Sequence, residues 1–261
     1  MLKLFSKRKA SQQEPASFSI AEDMLVYAIG DVHGCLLSMI NLLEKIKDDR
    51  LAEETSQATI VFLGDLVDRG PNSKEVLDFL IKFKPPWADL VFLKGNHEEV
   101  MLQVLTGDIS AMRSWFSFGG KACARNYGVD NFGQIDMNPD AIMVALQRSV
   151  PQQHLRFMEG FKDSWQCGDY LFVHAGIRPK VEIEKQTPHD MRWIRGKFLE
   201  YKKRHPVMVV HGHTVTEDGP EHHSNRIAID TGAHKGRPLT AVCLKGDDVK
   251  FLQSDPSMLG S

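Results

Sequence analysis

Apolar runs rich in β-branched residues recur along this chain, and nearly all of them stop at Asp, Asn or His beside glycine. They read "MLVYAIGD", "ATIVFLGD", "LVFLKGNHE", "YLFVHAG", "VMVVHGHT", "RIAIDTGA" and "LTAVCLKG". Runs of this length and composition predict β-strands. Between the first three, Leu36, Leu37, Ile40 and Leu43, then Val76, Leu77, Leu80 and Ile81, repeat at the i, i+3, i+4 spacing of a helix face. The first three strand ends are spaced by about thirty residues, the length of a βαβ unit. An α/β fold follows, and in open α/β sheets ligands gather outside the carboxyl ends of the strands. Asp31, His33, Asp65, Asn96, His174 and His213 are then expected on one edge, although the sequence scatters them. The flanking glycines let the chain turn off each strand without a β-carbon clash.

Mixed Asp, His and Asn ligation suits a borderline divalent ion such as manganese, iron or zinc. More donors converge than one tetrahedral ion needs, and a central carboxylate such as Asp65 could bridge two metals.

Composition narrows the alternatives. The 261 residues are 42% apolar and 25% charged, as in an ordinary globular protein. Acids and bases nearly cancel at a formal charge of -2, which argues against a broad basic face for nucleic acid. Cys35, Cys123, Cys167 and Cys243 are scattered without a C-x-x-C pair and read as thiols of a reducing compartment. The stretch "MLKLFSKRKASQQEPASFSI" has no apolar segment fit for a signal sequence, and no later run could span a bilayer. A cytoplasmic protein without stable membrane insertion is expected. Residues 1–22 are expected to form a flexible polar tail, 23–255 a single catalytic domain and 256–261 a second tail.

The ordered motifs "GDVHG", "GDLVDRG", "GNHE", "HAG" and "GHT" resemble the metal-dependent phosphoprotein phosphatases of the calcineurin-like superfamily, in particular the bacterial and phage lambda-type serine/threonine phosphatases. The resemblance covers roughly Val26 to Leu244. It implies a two-sheet β-sandwich flanked by helices, α/β in class, with two divalent ions, expected to be manganese, at the strand carboxyl ends. By resemblance Asp31 and His33 hold the first metal, Asp65 bridges, and Asn96, His174 and His213 hold the second. His97 is implied to protonate the leaving oxygen, with Asp68 orienting its imidazole and Arg69 clamping the phosphate. In "MRWIRGKF" Arg195 is the expected second phosphate arginine, with Arg192 as a weaker alternative. Related bacterial chains often continue with acidic and proline residues after that arginine, a departure that bears on substrate preference. His211 has no ligand role in the family, and Glu98 reads as a helix-start carboxylate.

The remaining features take plainer readings. "YKKRH" reads as a solvated helix end, and His222–His223 has no partner motif. "SWFSFGGKACARNYG" matches in position a segment that shapes the substrate mouth in lambda-type enzymes, where Trp115 and Phe118 are either core or mouth. The resemblance makes a phosphorylated protein or peptide the expected substrate. Symmetrical diadenosine tetraphosphate hydrolases are the alternative; they typically carry Ala at the position of Asp68 and a shorter acid after "GNH", and "GDLVDRG" and "GNHE" here favour the protein phosphatase. A non-catalytic scaffold is disfavoured because every implied ligand and the acid are present.

Overall fold

The computed structural model describes residues 17–53, 58–130, 132–134 and 138–256. Among these residues two five-stranded sheets stack face to face. The first contains β1 (Val26–Ile29), β2 (Ala58–Phe62), β3 (Ala88–Phe92), β9 (Thr240–Lys245) and β10 (Asp248–Gln253), in the order β10-β9-β1-β2-β3. The second contains β4 (Ser164–Cys167), β5 (Tyr170–Val173), β6 (Met208–His211), β7 (Glu221–His222) and β8 (Arg226–Ala228), in the order β4-β5-β6-β8-β7. Strands β1, β2 and β3 are mutually parallel, as are β5, β6 and β8, so both sheets send strand ends toward one edge.

Alternation along the strands builds three apolar layers. Val26 and Ala28 of β1 face Phe172, Val210 and Ile227 of the opposite sheet. Tyr27 and Ile29, one residue out of phase, join the core beneath the helices. Those helices are α1 (Leu36–Leu51), α2 (Ser73–Lys82), α3 (Asn96–Leu105), α4 (Ile109–Ser117), α5 (Gly120–Asn126), α6 (Pro139–Ser149) and α7 (Gln152–Glu159). On the far side, Leu171, Val173 and Val209 pack on the short helices α8 (Pro188–Trp193) and α9 (Gly196–Leu199). The sandwich flanked by helices is the fold expected from the sequence. No helix among the described residues is long and apolar enough to cross a membrane.

One boundary differs from expectation. Residues 17–22, read as tail, are docked on the sandwich: Ser19 N donates to Asp169 Oδ2 at 3.0 Å, Ile20 N donates to Gly246 O at 2.9 Å, and the Ile20 side chain is buried. Backbone pairing with a distant hairpin holds this segment, and composition carries no trace of it. Residues 1–16 and 257–261 of the two expected tails lie outside the described residues.

Candidate metal centre

The loops that leave β1, β2 and β6 are bent into conformations that non-glycine residues seldom adopt. Among the described residues six non-glycines have positive φ, and five of them are His33, Asp65, Asp68, Arg69 and His213. Backbone strain of this kind persists where surrounding contacts over-determine it. Here the buried carboxylate of Glu98 supplies much of the constraint. It accepts from Gly95 N at 2.9 Å, Asp65 N at 2.8 Å, Leu66 N at 2.7 Å and Val67 N at 3.4 Å. Burial and then the nearby Asp65 push this carboxyl up to about 7. Glu98 does start helix α3, as expected, but its larger contact is with the neighbouring loop. Two glycines are required by close approach: a β-carbon on Gly95 would lie 2.1 Å from Asp65 Oδ1, and one on Gly212 would lie 2.0 Å from Asp31 Oδ1.

These loops bring all six expected ligand residues together, each at least 94% buried. Ligand atoms of Asp65, His174 and His213 lie within 4.8 Å of one another, and so do those of His33, Asp65 and His97. Asp65 belongs to both groups. Asp31 stands beside the second of them, with Oδ2 3.9 Å from His33 Nε2 and both oxygens accepting from His213 N at 3.1 and 3.2 Å.

The donor atoms fit cations. His174 Nδ1 donates to Leu63 O at 2.9 Å, which leaves Nε2 bare, and burial holds this imidazole below its ordinary pKa. Around that nitrogen lie Asn96 Oδ1 at 3.0 Å, His213 Nδ1 at 3.2 Å and Asp65 Oδ1 at 3.4 Å. A bare imidazole nitrogen, an amide oxygen and a carboxylate oxygen have no proton to share, and His213 Nε2 is buried without a partner among the described residues. His33 is oriented the same way, with Nδ1 donating to Val67 O at 2.8 Å. Its bare Nε2 accepts from Arg69 Nη1 at 2.9 Å, and His97 Nε2 accepts from Arg69 Nη2 at 3.0 Å, so a guanidinium cation already faces the first group. Charge points the same way. Burial, then the like charges of Asp230 and Asp65, raises Asp31 well above the carboxylate range. Burial raises Asp65 too, but the imidazoles of His174, His97, His33 and His213 outweigh it and hold this carboxylate low. Three buried carboxylates in one place call for positive charge.

Next to the centre, His97 Nδ1 donates to Asp68 Oδ2 at 2.6 Å. Burial lowers the His97 pKa, yet Asp65 and Asp68 more than compensate and the net shift is upward. Trp115 Nε1 donates to the same Asp68 oxygen at 2.7 Å, and Phe118 sets its ring edge against His97 with centroids 4.9 Å apart. Trp115 is thus both core and a wall of the site. Arg195 is exposed and donates to Thr214 Oγ1 at 3.2 Å, one residue from His213. Arg192 instead pairs with Asp163 and Glu99, which removes it from the phosphate role. His211 lies against Phe198 with Nδ1 at 3.0 Å from Gly212 O, a packed position off the ligand cluster.

Two neighbours of the cluster escaped sequence reasoning. Burial pushes the Asp230 carboxyl up to about 6, and its Oδ2 has no partner among the described residues. The His234 ring lies 4.8 Å from the His33 ring. The signal for the first was available, because "RIAIDTGA" ends in Asp beside Gly like the other runs.

Strand ends that gather carboxylates and imidazoles around one shared carboxylate mark a metal-dependent phosphoester hydrolase. The chain belongs to the calcineurin-like phosphoesterase family, whose sequence model matches residues 24–250. It is 33% identical over 161 residues to the symmetrical bis(5'-nucleosyl)-tetraphosphatase of Methylococcus capsulatus, a match covering 62% of this chain and 46% of that protein's length. It is 29% identical over 234 residues to the asymmetrical bis(5'-nucleosyl)-tetraphosphatase PrpE of Bacillus velezensis, covering 81% of this chain and 86% of the relative. Its fold is similar to a crystal structure provisionally named a diadenosine tetraphosphatase, at a TM-score of 0.62 and 18% identity, with 91% of this chain and 99% of that one covered. These relatives carry dinucleotide-hydrolase names, where the sequence motifs led to an expectation of phosphoprotein.

Proposed function

We propose that this metallophosphoesterase hydrolyses dinucleoside tetraphosphates. The carrying observation is the similarity to a bis(5'-nucleosyl)-tetraphosphatase along 86% of that relative's length. Asp31, His33 and Asp65 would hold one divalent ion, and Asp65, Asn96, His174 and His213 a second, with manganese the expected metal. When bound, the metal pair supplies Lewis-acid activation of water and of a phosphoryl oxygen. Arg69 and Arg195 bind the phosphate through planar forks that match its oxygens. His97 passes a proton from Nε2 to the leaving oxygen, while Asp68 holds Nδ1–H and stabilises the charged imidazole. Trp115 keeps Asp68 in place.

A phosphoserine or phosphothreonine substrate is the second reading, favoured by the Asp68–His97 pair at 2.6 Å. A serine alkoxide needs a proton on leaving far more than a nucleotide phosphate does. Glu98, the other residue behind that reading, is taken up by loop amides and speaks for loop geometry rather than substrate. The test compares diadenosine tetraphosphate, a phosphoserine peptide and a small aryl phosphate under one manganese concentration. The dinucleotide is expected to give the highest kcat/KM, with products identifying symmetrical or asymmetrical cleavage. A dominant peptide rate would replace the first reading by the second.

A further inference from the structure

A concave region is built from the continuation of the loop that carries His174 and from the start of helix α9 with the residues that follow it. Arg178, Pro179, Lys180, Lys197, Glu200 and Tyr201 line a shallow, open cleft of about 460 Å³. Its residues lie a few positions along the chain from residues of the site. Arg178 follows His174 by four residues, Lys197 follows Arg195 by two, and α9 is pressed onto the loop so closely that a β-carbon on Gly176 would lie 2.3 Å from the Phe198 ring.

Its charges are unequal. Arg178 is neutralised by two hydrogen bonds to Asp190, at 2.8 and 2.6 Å. Lys180 and Lys197 are exposed and have no ion-pair partner among the described residues. Among the described residues Lys180 is also the sixth non-glycine with positive φ, at 65°, and the other five are in or beside the candidate metal centre. Strained backbone of this sort gathers at sites that bind ligands. Tyr201, whose ring packs at 4.9 Å from that of His205, adds an aromatic face to a cleft in which two ammonium groups outnumber the one unpaired carboxylate among the described residues that line it, Glu200. Two ammonium groups beside an aromatic ring and a proline suit the phosphates and base of a nucleotide.

We propose that this cleft is the subsite for the nucleotide half of the substrate that lies beyond the cleaved phosphate, with Lys180 and Lys197 on its phosphates and Tyr201 against its base. The assignment rests on the dinucleotide reading above and is tested separately from it. Wild type, Lys180→Ala/Lys197→Ala and Tyr201→Leu are assayed with manganese on diadenosine tetraphosphate, on a small aryl phosphate and on an acidic phosphopeptide, and ADP binding is measured by calorimetry. In the double variant the ratio of kcat/KM for the dinucleotide to that for the aryl phosphate is expected to fall about tenfold, through KM, the mark of lost binding shared by ground and transition states. Tyr201→Leu should weaken ADP more than tripolyphosphate. If wild type hydrolyses the dinucleotide and the ratio does not move, the subsite is wrong and the function stands. If wild type does not hydrolyse it, the function reading falls, and ADP binding alone decides the cleft: affinity lost with the lysines supports a nucleotide site, affinity retained removes it. A loss confined to the phosphopeptide would assign the cleft to acidic peptide instead.

Discussion

Trp115 Nε1 and His97 Nδ1 share one oxygen of Asp68, at 2.7 and 2.6 Å. The indole holds the carboxylate from one side while the imidazole uses it from the other. Trp115→Phe keeps a buried aromatic ring but removes the donor, so Asp68 gains freedom to turn. A hydrogen bond to a charged group is worth about 1.5–3 kcal/mol, and kcat should fall about tenfold or more. KM for an aryl phosphate and metal content should stay near wild type. A variant that loses only thermal stability, with kcat intact, would leave Trp115 as core alone.

Asn96 and His97 are adjacent, yet their contacts separate. Asn96 Oδ1 faces His174, while His97 joins Asp68 and also lies within reach of His33 and Asp65. Asn96→Ala should loosen metal binding, with a defect that shrinks as manganese is raised. His97→Asn should retain both metals and lower turnover by about 10²–10⁴-fold, the usual worth of a positioned general acid. The loss should be larger on a phosphoserine peptide than on an aryl phosphate, whose leaving group hardly needs a proton. Metal loss measured in the His97 variant would make it a ligand instead of an acid.

Glu98 accepts from four backbone amides, so Glu98→Ala leaves several buried donors without an acceptor. At about 1–3 kcal/mol for each unsatisfied group, the metal-free protein should lose at least ~3 kcal/mol in urea unfolding. Glu98→Gln should fall between, because its amide group brings new donors against the same N–H groups. A loss under ~1 kcal/mol in Glu98→Ala would show that the loop holds its shape by other means.

Asp190 ties helix α8 to the Arg178 loop, and its hydrogen bonds from Arg178, then Thr187, outweigh desolvation and hold its carboxyl below the ordinary value. A depressed folded pKa contributes stability above the unfolded pKa and loses it as pH falls through the folded one. Asp190→Asn should therefore lower Tm at pH 7 and converge with wild type below the ordinary carboxylate range. A constant gap at all pH values would mean the mutation acts through packing.

The parallel units β1 to β3, β5, β6 and β8 were legible because each is an apolar run that stops at a polar strand end. Strands β4 and β10 were not, since "SWQC" and "DVKFLQ" are mostly half-buried and lack a continuous apolar signature, and the two-residue β7 is too short to show one. At the site, the motif residues could be named in advance because their loops repeat one pattern. Trp115 could not be given its partner, which lies 47 residues earlier and is met only through the packing of α4 on the loop after β2. "MRWIRGKF" placed Arg195 ahead of Arg192, but the acids Asp163 and Glu99 that take up Arg192 lie across the fold and leave no mark in that segment.

The bond from His213 N to Asp31 joins residues 182 positions apart, across the two sheets. Contacts of such separation form late, because the intervening chain must first be ordered. On the ribosome, a nascent chain would display the Asp31, His33 and Asp65 loops long before His213 had been made. The centre is therefore a timer on its own synthesis: hydrolytic competence arrives only once the chain has been made through His213 and the two sheets have closed on each other.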